Sequence, residues 1–526
     1  MRTQDSEEIA PGRITALYGN GSEVAVPDSS SGEAHPDPGT VQARALSSVL
    51  SLVGREAVIR VMSVAGALVL AWLLTPGEYG LFGIATFVVG IVTLFSELGL
   101  GAAFIRRKEE VTSQELNAMF TLQLAFVSAL AVGLFLSAPL IAGFYNTPAV
   151  EWLVRALAVN VVVTSLRSVP VVVAERNLNY RPIALADVVG QFSYWSMAIS
   201  GALLGLGVWS LVLAVLASGL AGTLAIYSRT KWRPAFDFNW RPLKESIRFG
   251  LLYQSQAVAS FVKDTMVPAL GGPVFGPVAV GYLSWAMQIT AMPLVLGQLV
   301  SRVCYPALGR LQNDRAAFVA MLEAALGWTC RLSLPVFAVL VGLAPRLIEH
   351  IFTPKWLPAL PSLYLLAINM VLSIGMGIFV AALYALGRRR PVLRITLGWA
   401  AVTWLAAVVL VTASFGFEAI AGAYALGALI VFPVMLFELR DLGGIRLLRS
   451  AVLSLLTGMA GGTLLYFARP WVVDIWSLLA VAGVASLAMW ATNLWPVRRA
   501  VLDTVKSRLA KPRDLQPGAS NEARRV

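Results

Sequence analysis

Arg55, Glu56, Arg60, Glu97, Arg167, Lys263, Asp264, Glu323 and Arg331 all lie inside apolar stretches of this chain. An ionisable group at such a depth in a hydrophobic run is costly unless it is paired, hydrated or matched by a bound ion. The chemistry open to such a set is ion pairing, anion binding and the carriage of ions. Hydrolytic and redox machinery is not in view: no glycine-preceded lysine for a phosphate loop, no GxSxG and no HExxH occurs. The only histidines are His35 and His350, so one chain offers no histidine metal site and no cofactor is expected.

Spacing sorts the set. Glu56 and Arg60 are four residues apart and share a helical face. Arg60 falls roughly 12 Å past the start of its apolar span, and Glu97 about 10 Å before the end of the next one. The two are level, so Glu97 is expected to face Arg60 across a helical hairpin. Arg167 and Arg331 have no acidic neighbour in sequence and would be held either by distant carboxylates or by an anion from outside the chain. Lys263 and Asp264 are adjacent and diverge by about 100° on a helix. One of them is therefore expected to find a separate partner or water. Structural ion pairing remains an alternative for the whole set. Arg155, Asp187 and Arg302 lie nearer span ends and read as interfacial.

The elements that must carry these groups are long helices. The chain has 526 residues, 57% of them hydrophobic and only 13% charged, where a soluble protein would carry about 25% charge. Fourteen spans are read: 52–74, 80–104, 117–142, 150–173, 183–205, 208–228, 247–270, 281–305, 317–343, 361–386, 393–414, 417–438, 447–468 and 473–496. Runs of about 20 apolar residues cross a bilayer as helices. The net charge of +12 falls in short loops after alternate spans, such as Arg106–Lys108 and Arg388–Arg390, and in the C-terminal tail. That distribution points to membrane orientation rather than nucleic acid. It places both termini and every basic loop in the cytoplasm. Cys304 and Cys330 fall within spans and read as buried thiols.

An internal repeat organises the spans. Pro76, Gly80 and Ala85 recur as Pro277, Gly281 and Ala286, and Asn160, Arg181, Pro182 and Gly207 recur as Asn369, Arg390, Pro391 and Gly416. An even number of spans separates the copies, so both halves have the same orientation. The expected fold is an all-α membrane protein of about fourteen transmembrane helices, in two parallel-repeat six-helix lobes plus two extra C-terminal helices. The segments are a disordered cytoplasmic tail over 1–50, a lobe over 51–228, a basic linker over 229–246, a second lobe over 247–438, helices 13–14 over 439–497, and a basic tail over 498–526.

The stretch "LLTPGEYGLFGIATFVVGIVTLFSELGLGAAFIRRKE", Leu73–Glu109, resembles the first hairpin of bacterial polysaccharide flippases, within the multidrug/oligosaccharidyl-lipid/polysaccharide exporter superfamily. "GYLSWAMQITAMPLVLGQLVSRVCYPALGRLQND", Gly281–Asp314, resembles the matching segment of the second half. The resemblance implies a transporter, not an enzyme, that moves an undecaprenyl-diphosphate-linked oligosaccharide across the bacterial cytoplasmic membrane by alternating access. On this reading Arg55, Arg60, Arg167, Arg331 and Lys263 line the substrate path, while Glu56, Glu97, Asp264 and Glu323 serve ion pairing or coupling. The partners are the lipid-linked glycan, the bilayer and polysaccharide polymerase or export machinery. Many relatives have Asn where Lys263 precedes Asp264, so coupling at that position is not carried over. A drug antiporter of the same fold, a membrane enzyme of glycan assembly and a structural scaffold are the competing readings.

Overall fold

A computed structural model describes residues 59–96, 101, 104, 111–238 and 256–495, all within one compact unit, Arg55–Val526. No strand occurs among the described residues. The chain is an all-helical, multi-pass membrane protein: eleven helices among the described residues are long and apolar enough to cross a bilayer. The expected tails 1–50 and 498–526, and residues 239–246 of the linker, lie outside the described residues.

The N-terminal set begins with α1, Ile59–Leu73, and α2, Pro76–Ser96. Next comes α3, Ser113–Phe144, opened by a reciprocal cap between Thr112 and Glu115. The fourth helix, α4, covers Ala149–Arg176, and α5 and α6 are Arg181–Leu203 and Val208–Arg229. In the C-terminal set α7 covers 256–275, with a π turn at Val267–Gly271. Helix α8 covers 277–291 and continues after Met292–Pro293 as Leu294–Arg310. Then come α9, Arg315–Gly342, α10, Leu360–Ala385, α11, Arg389–Thr412, and α12, Glu418–Glu438. The final pair is α13, Arg449–Ala468, and α14, Ile475–Leu494.

Two expectations are corrected. The outer loop read at 271–280 is nearly all helical, and the chain turns at Gly276, whose φ of 78° suits glycine. Behind the turn Gly271 faces Val280 and Leu283. The span read as continuous over 150–173 is broken, into Ala149–Ser165 and Ser168–Arg176.

Within each set α5 packs on α6 and α11 on α12, while α13 lies along α9. The two sets meet chiefly where α2 crosses α8. There the repeat-related residues touch reciprocally. A β-carbon on Gly80 would sit 1.6 Å from the Pro277 carbonyl oxygen, and one on Gly281 would sit 1.8 Å from that of Pro76. Two copies of one motif exchanging contacts in this way is the signature of a two-fold relation.

Among the described residues, the buried core is continuous between the sets at one end only. One cluster joins Ile84, Leu153, Val267, Leu283, Trp285 and Trp356. Towards the end that carries the basic loops the core divides, into a group around Phe120 and Val169 and another around Phe318, Phe379 and Leu447. Among the described residues, the sets therefore share one core away from the basic loops and have separate cores near them.

Candidate functional site

A cavity of about 440 Å³ is lined by α2, α4, α6 and α7, with Thr86, Thr93, Asn160 and Phe261 among its walls. Asp264 lies one turn beyond Phe261 on the same helical face, and its side chain is 56% exposed. Lys263 does not turn to a remote carboxylate. Its ammonium bonds the Asp264 carboxylate and lies 4.6 Å from the ring centre of Trp399. As expected, one of the two finds a further partner, Trp399, and the other faces open space; the four-carbon stem of Lys263 also lets it curl back to its neighbour. The pair is locally neutral.

Asn160 brings a polar group that no described residue satisfies. Its Oδ1 is buried without a hydrogen bond, and it occupies the space that the missing side chain of Gly219 leaves; a β-carbon there would sit 2.1 Å from it. Buried amides are seldom left so. The repeat-related Asn369 also has a buried, unpaired Oδ1.

The break in α4 exists because of Pro170. Proline has no N–H for the Leu166 carbonyl four residues earlier, and the Tyr227 hydroxyl of α6 donates to that oxygen instead, at 2.7 Å. Arg167 N–H turns to Thr164 O, which frees the Val163 carbonyl for Thr223 Oγ1 at 3.2 Å. Arg167 sits at this break with a guanidinium nitrogen 3.3 Å from where a β-carbon on Gly222 would stand. No ion pair holds Arg167 among the described residues.

Arg331 lies elsewhere. It was expected in the central path, yet its guanidinium folds back over Gly327 on the face where Ser450 of α13 approaches, with the Trp328 ring 5.7 Å away. One turn further along this face begins an apolar groove of about 540 Å³ between α9, α10 and α13, walled by Leu334, Ala338, Gly458, Gly462 and Tyr466. Glu323, two turns before Arg331, is partly buried. The groove was not foreseen, because the α13 wall comes from a helix over 100 residues from α9.

Arg60 is exposed in the first described turn of α1. Arg55, Glu56 and Glu97 lie outside the described residues, and with them the expected Glu56–Arg60–Glu97 cluster. Cys304 and Cys330 are buried free thiols, as read.

The sealed end has its own polar fastening. Thr75 caps α2 by exchanging bonds with Glu78: Thr75 N–H donates to Glu78 Oε2 at 2.7 Å, and Glu78 N–H donates to Thr75 Oγ1 at 3.3 Å. Pro76 has no N–H at all. The Ala71 and Trp72 carbonyls at the end of α1 therefore lose their helical donors. The segment 348–359 of the C-terminal set supplies replacements. Trp356 Nε1 donates to Ala71 O at 3.0 Å and Lys355 Nζ to Trp72 O at 2.8 Å. Trp72 Nε1 donates back to Ile351 O. Trp356 is fully buried, stacked on Trp285 at 4.9 Å.

Known proteins can be set beside this geometry. The family described as polysaccharide biosynthesis protein matches residues 69–361. The teichuronic acid biosynthesis protein TuaB of Bacillus subtilis is 28% identical over 56% of this chain and 61% of its own length. The succinoglycan biosynthesis transport protein ExoT of Rhizobium meliloti is 25% identical over 61% of this chain and 65% of its own. The chain thus spans somewhat under two thirds of these relatives. Among solved structures, the lipid II flippase MurJ in an inward closed conformation aligns with a TM-score of 0.68 at 15% identity, over 85% of this chain and 99% of that one. That likeness is one of fold.

Proposed function

The chain belongs to the polysaccharide biosynthesis protein family, and we propose that it is a flippase for a glycan joined to a polyprenyl diphosphate. The observation that carries the reading is the line formed on one face of α9 by Arg331 and the apolar groove that follows it. A polyprenyl diphosphate is apolar along its length and doubly anionic at its head. An arginine fork suits the phosphate oxygens, and the groove suits the chain. The glycan needs a hydrated route, to which Thr86, Thr93 and Asn160 bring polar groups in an otherwise apolar cavity wall. The names of the relatives, teichuronic acid biosynthesis and succinoglycan biosynthesis transport, fit such a cargo.

On this reading the basic loops face the cytoplasm, and the membrane is the bacterial inner membrane. The division between the sets near those loops is the inward opening, and alternating access requires the α2–α8 seal to open in turn. Arg55, Arg60, Arg167 and Lys263 are cations of the path, with Glu56, Glu97, Asp264 and Glu323 as their balancing or coupling partners. Polymerase or export machinery takes the product at the outer face. The chain acts as a transporter, not as an enzyme. The exposed Asp264 carboxylate favours a second reading, export of an organic cation, which the Lys263 ammonium bound to it opposes.

The test is reconstitution in liposomes with a fluorescent glycan on a polyprenyl diphosphate, the same glycan on a neutral lipid, and a cationic dye. Translocation of the diphosphate-linked glycan alone is expected. Movement of the dye without the glycan would replace the proposal by the antiporter reading.

A further inference from the structure

His350 stands between two parts of the molecule. It lies on the π turn Ile348–Phe352, outside the membrane-spanning helices, and it is partly buried. Its Nδ1 is 3.0 Å from the Arg346 carbonyl oxygen of its own segment. Its Nε2 is 3.0 Å from the Val473 carbonyl oxygen, in the turn between α13 and α14. Both neighbours are acceptors and neither can donate. A neutral imidazole has one N–H and one lone pair, so in either tautomer one contact sets a lone pair against a carbonyl oxygen. Only the imidazolium donates to both.

We propose that His350 is a pH-operated clasp: as imidazolium it ties the α13–α14 turn to the segment that follows α9, and on losing its proton it lets that turn go. The groups around the ring fit this role. On its own segment Arg346 is paired with Glu349 at 2.9 Å. On the facing turn are Arg469, whose guanidinium lies over the Tyr466 ring, and Asp474, the cap of α14. The Ser477 N–H holds the Asp474 carboxyl below its ordinary value, and His350 adds to that, so the carboxylate stays charged across the range in which imidazoles titrate.

A second tie, Arg346 Nε to Arg469 O at 3.1 Å, keeps the turn from leaving altogether. Release is therefore a loosening of the turn, with Val472 and Leu478 still packed against Leu343. Because α13 walls the apolar groove, the clasp sets how firmly one side of that groove is held. The same segment also grips α1 through Lys355 and Trp356.

The experiment uses the full chain in lipid nanodiscs. Amide exchange across residues 469–478 is followed at pH 5.5 and 8.0 and corrected for intrinsic chemical exchange. Opening of the turn should rise roughly tenfold at the higher pH, the effect of losing one charge-assisted hydrogen bond. His350→Gln should abolish the difference. In a His35→Gln background, ¹⁵N spectra of the one remaining histidine should show both ring nitrogens protonated at pH 5.5. A pH-independent turn in the parent, a pH response that survives His350→Gln, or a neutral ring at pH 5.5 would each overturn the clasp. The two measurements on an intact histidine decide the matter even if His350→Gln fails to fold.

Discussion

Gly80 and Gly281 occupy the same place in each other's helix. Each leaves out the side chain where the opposite helix brings the carbonyl of the proline four residues before its own glycine. The contact is reciprocal and tight, and it lies where the core joins the two sets of helices.

Gly80→Ala and Gly281→Ala should each destabilise the purified protein by about 1–3 kcal/mol, the usual cost of overpacking. The double variant should cost less than the sum, because the first substitution already parts the helices. Thermal unfolding of the three variants checks this, and strict additivity would mean that the two glycines do not share one crossing.

Trp356→Phe keeps a ring against Trp285 while removing the donor to Ala71 O. With that carbonyl left unpaired, the sealed end should open more often, by about fivefold if one ordinary hydrogen bond is lost. The readout is labelling of Thr86→Cys by an impermeant reagent from outside, with Cys304 and Cys330 replaced by serine. Unchanged labelling would remove Trp356 from the fastening.

Arg167→Gln should express and insert normally, since no ion pair among the described residues depends on it, yet slow glycan translocation roughly tenfold through loss of a charge-assisted contact. Arg167→Lys should recover part of the rate, keeping the charge and losing the fork. Parental rates in both variants would take Arg167 out of the path.

Arg331 and Gly458 test the groove from its two chemistries. Arg331→Gln should weaken retention of a polyprenyl diphosphate and leave a neutral polyprenol unaffected. Gly458→Leu fills the groove beside Leu334 and should exclude both lipids. Photo-crosslinking with the two lipids in the purified variants separates these outcomes, and equal labelling of all proteins would mean that the groove holds neither.

Much of this was legible in the sequence. Long apolar runs fix helices in a bilayer, because every backbone polar group must be satisfied within its own segment. Basic clusters mark alternate loops, and the recurrence of Pro76–Gly80 as Pro277–Gly281 exposes the repeat that the structure brings into contact. Thr75–Glu78, the gap between the spans read at 52–74 and 80–104, instead holds the capped start of α2.

What the sequence left open is rotation. Position along a helix gives the angle between two residues of that helix, but not which neighbour a given face meets. A helix that is apolar all round shows no polar stripe from which to read it. So the sequence could place Arg331 along its helix, while its place against Gly327 and Ser450, away from the central cavity, came only from the packing of α13 on α9. The direct Lys263–Asp264 contact was not foreseen for a related reason, since residue spacing fixes where a side chain starts and not where a long stem ends. The donors for the Ala71 and Trp72 carbonyls come from residues some 280 positions away, and local sequence can show that a backbone group is orphaned without showing what will satisfy it.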